Sequence, residues 1–195
     1  MLVHFRKCSQ RHYRVLVERE RGPAVHVEPA PGYDDFLPHD LVHFVAEAEW
    51  ELDDAVFGQL AAGEDPGLFL PVDQQLVDGW VRSRKLRKKR QTEGGRSEAI
   101  AAVLDAAWRA RTGRAQLPEY WDLLLAGAQV APEKLAVALD CVDGLARRWH
   151  ELQVGASLTL EWPRSEGRRP HRQTAKRRSE VNRTVRRARR HRQPT

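Results

Sequence analysis

The sequence predicts an α+β fold in which a small antiparallel sheet, formed by an N-terminal hairpin and a C-terminal strand, packs against about five helices. Three observations carry that expectation. Apolar residues alternate with polar ones near both ends of residues 1–162, and between those ends they recur with the three-and-four spacing of amphipathic helices. Charge then separates the chain in two: residues 163–195 hold 13 Arg and Lys against 2 acids, a net +11, whereas residues 1–162 hold 20 against 25, a net −5. The expected organisation is an α+β domain over 1–162 and a disordered basic tail over 163–195, where apolar content is too low to offset the entropy of ordering.

Val3 and Phe5, then Tyr13, Val15 and Val17, occupy every second position, and a run from Ala24 to Glu28 follows the turn signal Arg21-Gly22-Pro23. These segments read as an antiparallel meander. Pro29, Pro31 and Gly32 end it, and Asp34 or Asp35 can cap a helix whose first turn tolerates Pro38. That helix is expected to run to about Ala55, with Phe57 to Ala62 continuing it or forming a separate turn. Gly63 to Pro71, with two glycines and two prolines, reads as a connector.

Helical spacing resumes from Gln74 to Arg90, with Leu76, Val77 and Trp80 on one side and a basic run from Arg82 to Arg90 at its end. After Gly94 and Gly95, Ser97 can cap a third helix bearing Ile100, Val103, Leu104, Ala107 and Trp108. Pro118 opens a short helix and Pro132 a longer one. From Gly155 the period changes to two, Leu158, Leu160 and Trp162 alternating with Ser157, Thr159 and Glu161. A lone strand needs a sheet, so this one is expected to return to the N-terminal hairpin.

The first helix carries the chemistry. Its segment Pro38-His39-Asp40-Leu41-Val42-His43-Phe44-Val45-Ala46-Glu47 sets two imidazoles four residues apart with carboxylates beside and beyond them. At roughly 100° per residue, with His39 at about 0°, His43 falls at about 40°, Asp54 at about 60°, Glu47 at about 80° and Asp40 at about 100°. Leu41, Phe44, Val45, Ala48 and Leu52 lie in the opposite sector, so the polar residues face either solvent or a cleft made with another element. Trp50 shares the polar sector and favours a covered cleft. The candidate site is a divalent metal on His39 and His43, with Glu47, or an acid or histidine from elsewhere, as third ligand and Asp40 as base toward bound water. Zinc is the first expectation. An acid-rich solvated helix face would give the same pattern, with Asp40 favoured by the helix dipole. Of the remaining histidines, His26, in the strand preceding this helix, is the best further ligand.

The His39-Asp40-Leu41-Val42-His43 segment is similar to the HExxH helix of zinc hydrolases, with Asp40 in place of the glutamate. It also resembles the HDxxH zinc-binding motif of a family of ubiquinone biosynthesis proteins. In that family a glutamate follows the second histidine by about a dozen residues, a region that here offers Asp53, Asp54 and Ala55. This resemblance implies zinc held through the two histidines, with Glu47 or Asp54 standing in for the glutamate. On a larger scale FLPHDLVHFVAE, FGQLAAG and the closing VGASLTLEWP resemble a bacterial family of small proteins. That likeness covers most of residues 1–162 and implies no reaction, cofactor or partner.

The tail offers a different class of function. Its arginines, Arg177, Arg178, Arg183, Arg186, Arg187, Arg189 and Arg190 among them, can neutralise phosphates of RNA or DNA without sequence preference. No Phe, Tyr or Trp interleaves with them, so base stacking is not expected. Arginine outnumbers lysine 27 to 6 throughout, which looks like a nucleotide bias and weakens any message in the arginines alone. The expected function is thus a binding module, its acidic domain contacting a protein partner while the tail holds nucleic acid; a metal-dependent hydrolase built on His39 and His43 is the alternative. Nucleotide hydrolysis is not supported, because GxGxxG and Walker-type loops and nucleophile elbows are absent. Two isolated cysteines, Cys8 and Cys141, and the lack of a signal-like or membrane-spanning apolar run point to the cytoplasm without membrane insertion.

Overall fold

The alternating N-terminal segments form β1 (Leu2–Lys7), β2 (Tyr13–Glu18) and β3 (Val25–Val27), and the C-terminal one forms β5 (Ser157–Glu161). A computed structural model describes residues 1–9, 11–30, 37–86 and 94–163. With the short β4 (Leu70–Pro71), these strands make one antiparallel sheet in the order β4-β3-β2-β1-β5. The closing strand does return to the hairpin: Leu2 pairs with Glu161 and Phe5 with Leu158, and Trp162 N–H donates to Met1 O at 3.0 Å. Register follows from alternation, since a slip of one residue would turn Val3, Phe5, Val15 and Val17 away from the core.

Among the described residues six helices accompany the sheet: α1 (His39–Glu49), α2 (Val56–Ala61), α3 (Gln74–Leu86), α4 (Gly94–Arg111), α5 (Trp121–Ala128) and α6 (Pro132–Glu151). α1 packs against both α4 and α6. The sheet presents Val3, Phe5, Tyr13, Val15, Val17 and Leu158 to this layer, all buried. Phe5, Phe44, Phe57 and Trp162 join strand to helix with ring centroids 5.3 to 6.3 Å apart, in edge and tilted arrangements and one stack. Each such ring removed from water contributes about 1.5–3 kcal/mol. Tyr13 meets Trp149 of α6 edge-on in the same way. Trp50, Trp108 and Trp149 are buried, and Trp80 and Trp121 partly so, in keeping with their reading as packing residues.

Three boundaries differ from the sequence expectation. α1 stops at Glu49, well before Ala55, because Glu51 adopts the left-handed conformation at φ 54°. Leu52 N–H then reaches Glu47 O at 2.9 Å and Glu51 N–H reaches Ala48 O at 3.4 Å, the paired bonds of a left-handed helix stop, with buried Leu52 anchoring the turn. Residues 56–61 consequently form a separate helix. The presumed connector contains β4, a two-residue strand too short for alternation to reveal, whose Leu70 pairs with His26 and Pro71 with Val25. Ser97 does not cap α4, which already begins at Gly94; it lies inside the helix and is buried.

The tail, with Arg177, Arg178, Arg183, Arg186, Arg187, Arg189 and Arg190, lies outside the described residues, as does 87–93 of the basic run. Within the described part of that run, Arg84 holds both carboxylate oxygens of Asp65 at 2.9 and 3.0 Å and the Phe69 carbonyl at 2.6 Å. It therefore fastens α3 to the 65–69 loop. No helix among the described residues is long and apolar enough to cross a membrane.

Candidate functional site

The site begins with the one-turn spacing of His39 and His43, which stacks their rings on one side of α1. The Nε2 atoms are 3.0 Å apart and the ring planes stand nearly perpendicular, at 86°. α4 supplies the third group: Glu98 Oε2 lies 3.5 Å from His43 Nε2. One ligand atom from each of His39, His43 and Glu98 lies within 4.8 Å of the others. A tetrahedral zinc ion with nitrogen and oxygen ligands at about 2.0–2.2 Å keeps them about 3.3–3.6 Å apart. The Glu98 separation falls in that range, the two imidazole nitrogens, hydrogen-bonded at 3.0 Å, need part by only a few tenths of an ångström, and exposed Glu98 has freedom to close the third. His39 is half-buried and His43 buried, so the three groups converge at the edge of the α1–α4 interface, open on one side.

This differs from the predicted ligand set in one member. The acid beside the histidines is Glu98, and Glu47 is fully buried one turn further along, where both of its oxygens are already engaged. Its Oε2 accepts from Phe57 N–H at 2.6 Å and its Oε1 accepts from the Ser97 hydroxyl at 2.9 Å. The first bond has a local cause. The residue preceding α2 is Ala55, whose side chain cannot cap the free N–H groups of the first turn, and the Glu47 carboxylate does so instead. On its other side Ser97 Oγ lies 2.8 Å from His43 Nδ1. A continuous buried chain thus runs from His43 through Ser97 and Glu47 to the start of α2.

Asp40, expected to act as base, points toward β2: its Oδ2 accepts from the Tyr13 hydroxyl at 2.8 Å. It does not join the group formed by the histidines and Glu98, although both His39 and Glu98 act on its charge. His26 sits in β3 beside Leu16 and Leu70, outside the site, and Asp54 lies in the turn beyond α1.

Burial dominates the electrostatics. It pushes His43 down to about 4, helped by neighbouring His39 and opposed by Glu98. The imidazole is therefore neutral at ordinary pH, the form that ligates metal. Burial raises Glu47 to about 7, with the hydrogen bonds from Phe57 and Ser97 pulling the other way. Asp40 is raised by burial too, and Tyr13 and His39 lower it in part. Asp105, two turns after Glu98 on α4, is raised by burial and drawn back by His39.

Sequence reasoning missed Glu98, Ser97, Tyr13 and Asp105. The signal for the α4 pair was weak but present: Glu98 and Asp105 are seven residues apart and share one face of the helix. No protein-family model, curated protein or solved structure matches the chain.

Proposed function

We propose that this protein binds a divalent transition ion, zinc in the first instance, through His39 Nε2, His43 Nε2 and a Glu98 oxygen, and uses it for hydrolytic chemistry. The observation that carries the reading is the convergence of the two Nε2 atoms, 3.0 Å apart, with Glu98 Oε2 3.5 Å from His43 Nε2. Two imidazoles and one carboxylate leave a tetrahedral ion one open position, the arrangement of catalytic rather than structural zinc. The ion would supply Lewis acidity to a bound water or a polarised carbonyl or phosphoryl group. The likeness of His39-Asp40-Leu41-Val42-His43 to zinc-binding helices supports the same ion.

The chain's own residues do the rest. Neutral His43 offers its nitrogen without first shedding a proton, which lowers the cost of loading. Glu98 beside both histidines, with Asp40 and the Arg109-paired Asp105 also acting on the charge of His39, favours a cation there. The Tyr13 hydroxyl donates to Asp40 Oδ2 and holds that carboxylate toward β2, beside the group rather than in it. Metal analysis of the purified protein tests the reading: about one equivalent of zinc is expected, and Glu98→Ala should weaken its retention. Protein that takes up no added zinc, or binds it independently of Glu98, removes this site.

The tail supports a second, separable role. Its net +11 over residues 163–195, against −5 for the rest, favours salt-sensitive contact with RNA or DNA phosphates through Arg177, Arg178, Arg183, Arg186, Arg187, Arg189 and Arg190.

A further inference from the structure

We infer that Glu47 and Ser97 are positioning residues that select the tautomer of His43, holding its proton on Nδ1 so that the Nε2 lone pair faces His39 and Glu98. The inference deepens the metal reading and rests on it for its consequence, but the tautomer is a property of the metal-free protein. The hydrogen-bond geometry carries it. Glu47 Oε2 is committed to the N–H of Phe57, and in the ionised form that the buried carboxyl takes at alkaline pH it can only accept, so the bond between Glu47 Oε1 and Ser97 uses the single serine proton. Ser97 Oγ has then no proton left for its partner on the other side. The 2.8 Å contact with His43 Nδ1 must run from the ring N–H to the hydroxyl oxygen.

Each link is shielded: Glu47 is 0% exposed, Ser97 2% and His43 7%. Water therefore cannot easily replace a link or reverse its sense, and unpaired donors there would be costly. The anchor at the far end is equally fixed, because the Glu47 carboxylate is the cap that Ala55 cannot provide. Metal-bound histidines are commonly oriented by an acceptor on the other ring nitrogen. Here that acceptor is a serine whose own polarity is set by a buried acid.

The arrangement makes an unusual prediction for a nearly isosteric change. In Glu47→Gln the amide oxygen is required by Phe57 N–H, which turns the NH₂ toward Ser97. Serine then receives a proton and donates its own to His43 Nδ1, driving the ring proton to Nε2, where it blocks the metal.

Nitrogen NMR of the histidine rings in chelator-treated protein at mildly alkaline pH reads this directly. Wild type should carry the His43 proton on Nδ1 and Glu47→Gln on Nε2, with zinc affinity reduced about 10- to 100-fold in the variant. Ser97→Ala, which leaves the Glu47 cap on α2 intact and serves if Glu47→Gln does not fold, should give mixed tautomers and a similar loss; Ser97→Thr should restore both readouts. Wild-type His43 protonated on Nε2, or both Glu47→Gln and Ser97→Ala retaining the Nδ1 proton, would overturn the inference. Zinc binding of equal strength in all variants with an unchanged tautomer leaves the metal reading standing and sinks the relay. A tautomer that switches in a protein that binds no zinc upholds the relay and sinks the metal reading.

Discussion

His43 and Ser97, 54 residues apart, join α1 to α4 through a buried contact of 2.8 Å between Nδ1 and Oγ. It orders the candidate site, because Ser97 is adjacent to Glu98 and anchoring it fixes the point on α4 from which the Glu98 side chain extends. Packing and chemistry are therefore coupled here.

One consequence is a masked pH dependence in metal-free protein. His43 titrates at about 4 when folded against 6.5 ordinarily, so its contribution is present above 6.5 and lost as pH falls toward 4. Glu47 titrates at about 7 against 4.5, so its contribution is full below 4.5 and lost as pH rises to 7. Between 4.5 and 6.5 the two slopes oppose and largely cancel. Glu47→Gln removes one of them, and its stability should then rise with pH across that window by up to about 1.4 kcal/mol per unit. Urea denaturation over a pH series measures this; a variant as flat as wild type would contradict it.

Tyr13→Phe should destabilise the domain by about 1–3 kcal/mol, since the ring keeps its place against Trp149 while half-buried Asp40 loses a hydrogen-bond donor. Asp40→Asn in the same background should recover part of the loss. A denaturation midpoint unchanged by Tyr13→Phe would show that the hydroxyl holds nothing.

Gly58 allows α2 to start tightly beneath the end of α1. A Cβ at this position would fall on the Asp53 carbonyl and 2.5 Å from Leu52 O, both backbone atoms with little room to yield. Gly58→Ala should therefore cost about 1–3 kcal/mol despite its better helix propensity. If calorimetry finds the variant more stable, the α1–α2 corner is built differently.

The site was half legible in the sequence, and the reason is geometric. A helix repeat reports which residues share a face, so His39 and His43 stood out together, and Glu47 joined them in the same sector. The repeat does not report what packs on that face. α4 covers it, and the one-turn offset between His43 and Glu47 places the first beside Glu98 at the edge and the second beside Ser97 inside. Ser97 was misread as a cap because serine after a glycine pair has that local signature, and only the tertiary contact reveals its other use. The sheet was easier. Alternation specifies a strand of five or six residues such as β1, β2 or β5, and it fails for Leu70–Pro71 because two residues make no period.

Deleting residues 163–195 tests the separate role of the tail. Retention of the full chain on a nonspecific RNA or DNA matrix should fall steeply with salt and vanish on deletion, because the remaining domain carries a net −5. Unchanged retention would place the contact elsewhere or remove it.

The central claim is the metal centre, and calorimetric titration of zinc into chelator-stripped protein tests it most directly. The wild-type chain should bind about one equivalent, and His39→Ala combined with His43→Ala should abolish that binding while leaving the circular dichroism spectrum intact. A wild-type chain that binds no zinc, or a folded double variant that binds it as tightly, would contradict the account.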